Sequence, residues 1–185
     1  MPPMQRRHFL KISAWSAATL AVAGGAGGAS WINGAQAPIP GFDSFAQARG
    51  WLSGLQENAA ARSLTDWSLA QVLEHCAQSV EFSMDGFPLP RSPLFQDTAG
   101  RLAFAAFNRR GSMQHGLTDA IPGAPTLIAT DLGAAATRRL AAFDAFEANA
   151  STLRPHFAYG ELDKAQYARA HLLHLANHAQ RIDLG

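Results

Sequence analysis

The chain has 185 residues, 48% of them hydrophobic, and a formal net charge of +1. That size and balance suit one packed domain and exclude a disordered, charge-rich chain; without a basic tract they also argue against a nucleic-acid partner. A lone cysteine, Cys76, rules out an intrachain disulfide and argues against a cysteine-built zinc site.

In chain order, the first feature is Arg6-Arg7-His8-Phe9-Leu10-Lys11, followed by a modestly hydrophobic run rich in Ala and Gly. An arginine pair followed by apolar residues and a lysine resembles the signal of the twin-arginine export route, although Gln5 stands where Ser or Thr is commoner. The expectation is a signal segment over residues 1–37, carried by the twin-arginine machinery to the periplasm. Ala35-Gln36-Ala37 has the small-x-small form of a cleavage site, but Pro38 behind it opposes cleavage. The alternative is an uncleaved segment retained as a membrane anchor, for which its glycines are a poor fit.

Residues 38–42 read as a linker. From Asp43 to Asn58, Phe45, Ala48, Leu52 and Leu55 recur at three-four spacing and predict an amphipathic helix capped by Asp43 or Ser44. A second helix is expected to begin near Ser63 and end at Gly86, with Leu69, Val72, Cys76 and Val80 as its apolar stripe. Ser63 with Asp66 reads as its capping box, and Thr65 is the alternative cap. Residues 87–130 are rich in Pro and Gly, with a short helix from Leu94 or Thr98 to Asn108. A third long helix covers 131–149. A fourth covers 163–182, opened by a box-like Asp163 and Gln166. The pattern predicts an all-α domain over residues 43–185, a four-helix bundle with a long irregular crossover between helices two and three. Bundles of this kind build metal sites from inward-facing side chains.

The fourth helix carries His171, His174 and His178. At about 100° per residue, His178 and His174 lie within about 60° of His171, on the edge of the stripe formed by Tyr167, Leu175 and Ile182. His174 and His178 are an i, i+4 pair, spaced so that both can reach one ion. Burying several imidazoles costs desolvation unless each finds a partner, and a metal supplies one. The plainer alternative is a row of packed, hydrogen-bonded core histidines. A third ligand must come from another helix, and His75 is the candidate, about 100° from the stripe of helix two in a groove between helices. His8 belongs to the signal. His156 precedes helix four, and His174 lies about 16 Å along the axis from that helix's start, which argues against direct ligation by His156. His115 falls in the irregular middle, where spacing cannot place it.

The segments "LAQVLEHCAQSVEFSMDGFP", "RRGSMQHGL", "IPGAP" and "HFAYGELDKAQYARAHLLHLANH", with the twin-arginine start, are together similar to a bacterial family of unknown function within the DinB-like (YfiT-like) metalloprotein superfamily. The resemblance covers most of residues 43–185 and implies a DinB-like four-helix bundle. It also implies a divalent metal held by His75, His174 and His178, with His171 as an additional ligand or a support for one. Many superfamily members carry further His, Arg or Gln residues after the last ligand; here those positions hold Gln180 and Arg181. The resemblance further implies metal-dependent transfer of a small thiol, or hydrolysis, and often a homodimer.

Zn²⁺ and Ni²⁺ both accept imidazole, and three neutral ligands leave the ion its full charge and at least one open position. The sequence-level expectation is therefore an exported transferase or hydrolase acting on a small molecule. The alternative is a non-catalytic metal- or ligand-binding bundle. An open position facing a pocket favours the first, and a fourth protein ligand such as His171 the second. No general base stands out: Glu74 and Glu81 on helix two read as solvated, and Cys76 reads as a core residue.

Overall fold

The computed structural model describes residue 39 and residues 41–185. The twin-arginine segment lies outside the described residues.

Helix α1 (Phe45–Glu57) begins where the Ser44 side chain accepts from the Gln47 N–H. It buries Phe45, Ala48, Leu52 and Leu55, the four residues of the three-four pattern. Next comes a two-residue strand, β1 (Arg62–Ser63). Helix α2 (Leu69–Asp85) is opened by a reciprocal capping box between Ser68 and Gln71, five residues later than the spacing Ser63/Asp66 suggests. Ser63 is used otherwise. Its backbone belongs to the strand, and its hydroxyl accepts from Thr65 N–H and contacts the Thr65 hydroxyl at 2.9 Å. Two rival caps are thereby consumed by local side-chain bonds. Gly86, at φ 111°, closes α2 with its N–H on the Phe82 carbonyl.

The irregular middle contains a three-residue helix, α3 (Pro93–Phe95), a π-helical turn over Gln96–Gly100, and α4 (Arg101–Arg110). Gly111 takes the left-handed conformation and ends α4. Helix α5 (Leu132–Ala148) starts from the Asp131 cap. Helix α6 (Lys164–Ala179) starts from a complete Asp163/Gln166 box. The chain then turns into β2 (Ile182–Asp183), so α6 stops three residues short of the expected 182. The strands pair antiparallel, Arg62 opposite Asp183 and Ser63 opposite Ile182. The described fold is thus mostly helical with a minimal two-stranded sheet. No helix among the described residues is long and apolar enough to cross a membrane.

Helix α2 packs along α5, α1 against α5, and α6 against α2. Between them lie fully buried Leu52, Leu73, Val80, Phe143, Leu173 and Leu175. Each such side chain contributes about 1.5–3 kcal/mol relative to exposure. Cys76 is buried in this core, and burial pushes its thiol up to about 11. It is a packing residue, as its place on the stripe predicts.

Polar side chains along one face of α2 hold the returning crossover. Gln71 donates to the Leu127 carbonyl, Glu74 accepts from the Ala129 N–H at 2.8 Å, and Gln78 donates to the Pro125 carbonyl. Glu74 is buried rather than solvated, and Arg138 of α5 bridges it and Glu81 at 3.2 and 2.7 Å. Both carboxylates therefore join α2 to α5 and the crossover.

The segment before α6 forms a tight loop in which His156 and Gly160 exchange backbone hydrogen bonds. Gly160 supplies the positive φ of 71° that this loop requires. The π turn lies directly on the loop, and a Cβ on Gly100 would stand 1.8 Å from the Ala158 carbonyl oxygen. Only a residue without a side chain permits this approach.

Candidate metal centre and its pocket

His75 faces α6 from the middle of α2, and His174 and His178 face it from successive turns of α6. All three are buried. The Nε2 atoms of His75 and His174 are 3.1 Å apart, and so are those of His174 and His178. One ligand atom from each residue lies within 4.8 Å of the others. The rings stand edge to face, with centroids 4.9, 5.1 and 4.9 Å apart.

As bare imidazoles the three cannot satisfy one another. Each Nε2 offers one in-plane hydrogen or one lone pair, yet the His174 Nε2 meets two others. A bound ion would resolve the conflict. With metal–nitrogen bonds of about 2.0–2.1 Å, cis ligand atoms lie about 2.9–3.4 Å apart, which brackets the observed separation. Three nitrogen donors without a carboxylate suit Zn²⁺ or Ni²⁺ and do not discriminate between them.

Burial pushes the His75 imidazolium down to about 3 and, with neighbouring histidines, that of His178 to about 2. His174 is held well below its ordinary value by burial and by His178, His75 and His115. Neutral rings are the form that binds a cation.

His171 is placed differently. Its Nε2 lies 3.3 Å from the Ser83 hydroxyl, with its ring edge-on to Phe146 and stacked on Tyr167. It is not one of the three whose ligand atoms converge. His156 also stays out of the cluster. Its Nδ1 accepts from the backbone N–H groups of Ala158 and Tyr159, and its ring stacks on Tyr159 with centroids 4.1 Å apart. Burial pushes it down to about 3.

A pocket of about 370 Å³ opens against the cluster. His75 and His174 reach its wall, joined by His171 and His156. Phe95, Phe107, Met113, Ile121, Phe157 and Tyr159 make the lining predominantly apolar, with Arg91 and Asp119 among its polar residues. His115, which spacing alone could not place, lines it too. Its centroid is 4.9 Å from that of His174 and 5.1 Å from that of His178. The only local signal was a histidine before a glycine in a loop; its approach depends on how the crossover folds back.

A family model described as "Protein of unknown function (DUF1569)" matches residues 41–183. The chain belongs to that family. No curated protein and no solved structure matches it. The matched region of this DUF1569 chain contains the three converging histidines, His115 and the residues lining the pocket.

Proposed function

We propose that this DUF1569 domain is a divalent-metal protein, its ion held by His75, His174 and His178, that acts on a small molecule as a transferase or hydrolase. The observation that carries the reading is the convergence of three buried Nε2 atoms from two helices, with 3.1 Å contacts that imidazoles alone cannot satisfy. Bound there, Zn²⁺ or Ni²⁺ would supply Lewis acidity beside the pocket.

The pocket favours the catalytic reading over a purely structural ion, because two of the three histidines also line a space large enough for a small substrate. Its aromatic and aliphatic wall would exclude water and accept an apolar body. His156 adds a fixed polar contact. With Nδ1 accepting from two backbone N–H groups and burial keeping the ring neutral, Nε2 remains its donor. It would orient a carbonyl, carboxylate or other acceptor on the substrate.

Helices α1, α2, α5 and α6 are read as the four helices of a DinB-like bundle, with α3, α4 and the following loop as its crossover. The arginine pair at Arg6 and Arg7 supports export to the periplasm, followed by cleavage or anchoring, and the family resemblance supports a homodimer.

Metal analysis of the purified full-length chain, beside His75→Ala and His174→Ala, tests the centre. The expected result is nearly one ion per wild-type chain and loss of it in both folded variants. A folded wild-type chain that is metal-free and takes up neither Zn²⁺ nor Ni²⁺ would refute the proposal.

A further inference from the structure

His115 is brought to the cluster by the loop between α4 and α5. Its separations from His174 and His178, 4.9 and 5.1 Å between centroids, repeat those found within the triad. It stands farther from His75, at 6.4 Å, on the other side of the α6 pair. Imidazoles sharing one ion, with bonds of about 2.0–2.1 Å, have centroids roughly 4.5 Å apart when cis and 6.4 Å when trans. All three distances fall in that interval, but His115 is not among the residues whose ligand atoms lie within 4.8 Å of one another, so ligation requires its loop to close slightly onto the cluster.

The chemistry of the ring agrees. His115 Nδ1 is 2.9 Å from the Gly116 carbonyl oxygen, an acceptor, so Nδ1 carries the proton and Nε2 keeps its lone pair. That Nε2 is buried and has no hydrogen-bond partner. A buried acceptor without a partner is costly, and a cation beside it removes the cost. A histidine that donates its other N–H to a backbone carbonyl is also the usual arrangement for a metal ligand. The Gly116 carbonyl further accepts from Asp119 N–H at 3.2 Å.

We propose that His115 is a fourth ligand of the metal centre, supplied by the loop rather than by a helix. The inference rests on the reading of His75, His174 and His178 as ligands. It makes the centre a four-imidazole site with one member on a segment that also lines the pocket. A fourth protein ligand closes the open position that catalysis needs, so the transferase or hydrolase reading then requires a substrate donor to exchange with His115 or to expand the coordination shell.

The test is visible absorption of the full-length chain loaded with Co²⁺, whose bands report ligand number and type. Wild type is compared with His115→Ala, the bulkier His115→Gln, and His75→Ala, with folding checked by circular dichroism. The expected result is that both His115 variants still take up Co²⁺, at least about 10-fold more weakly, with displaced bands. Added imidazole should restore the wild-type bands in His115→Ala. Unchanged bands in both folded His115 variants would overturn the fourth ligand, even with weakened affinity, because a residue supporting the site from outside leaves the ligand set intact. Failure of the folded wild-type chain to take up Co²⁺ would instead overturn the three-histidine centre. Retained uptake by His75→Ala with wild-type affinity would do the same.

Discussion

Two glycine-to-alanine substitutions should move stability in opposite directions. Gly54 lies on the exposed side of α1, and nothing stands within 4 Å of a Cβ built there. Gly54→Ala should therefore gain about 0.8–1 kcal/mol from helix propensity and the smaller entropy of the unfolded chain. Gly100 is buried at the end of the π turn, and its Cβ would lie 1.8 Å from the Ala158 oxygen and 2.9 Å from the Ala158 carbonyl carbon. Both opposing atoms are backbone, so no side chain can swing aside. Relief requires the turn and the 156–160 loop to separate by more than an ångström.

Such overpacking typically costs about 1–3 kcal/mol, and contact with a rigid backbone places Gly100→Ala at the upper end. After the propensity gain is subtracted, the net loss is about 2 kcal/mol. The two variants should then differ by about 3 kcal/mol, or roughly 6–12 °C in Tm for a domain of this size. Urea unfolding of both variants and wild type, with equal m-values, measures the gap. If Gly100→Ala is as stable as Gly54→Ala, the close approach of the π turn to the 156–160 loop is wrong, and so is the pocket wall built on it.

Acid should weaken the fold through His156, whose imidazolium burial holds at about 3 against an unperturbed 6.5. The unfolded chain binds the proton more readily, so stability present above pH 6.5 is lost as pH falls toward 3. The share from this residue is about 2 kcal/mol between pH 7 and pH 5, and His156→Gln should flatten the pH dependence of the urea midpoint by that amount. An unchanged pH dependence would mean that His156 is not buried as a neutral ring. At the start of α6, Asp163→Ala removes the acceptor for Gln166 N–H and breaks the box. It should cost about 1 kcal/mol and lower Tm by about 2–4 °C; a change below 1 °C would contradict the cap.

The long helices were legible because their apolar residues repeat at the helical period. Asp163 and Gln166 were legible as a box because their three-residue spacing stands directly before the periodic run that the box opens. The start of α2 was not. Ser63 and Ser68 both satisfy the chemistry of a cap, and the choice is made by β1, whose partner lies at the far end of the chain. Two-residue strands have no period to detect.

The same division runs through the candidate centre. His174 and His178 share a helix, so periodicity alone put them on one face. His75 could be nominated because it sits on the only other long helix carrying a histidine, 99 positions from His174. His115 could not, since loop residues take their direction from tertiary contacts. Here those are the bonds from Gln71, Glu74 and Gln78 that bring the crossover back along α2.

The strand pair β1–β2 sits at one end of the helices that carry His75 and His178, backed by an ion pair between Arg62 and Asp183 and by the Leu64 N–H on the Arg181 carbonyl. Apolar stripes alone set the axial position of two helices loosely, whereas convergent ligand atoms need placement within about 0.5 Å. A slip by one helical turn, about 5.4 Å, would preserve much of the greasy contact and abolish the convergence. Pairing of Arg62 with Asp183 and of Ser63 with Ile182 would oppose that slide. By this argument the last residues of the chain would help to set the spacing of the imidazoles from one end of the helices.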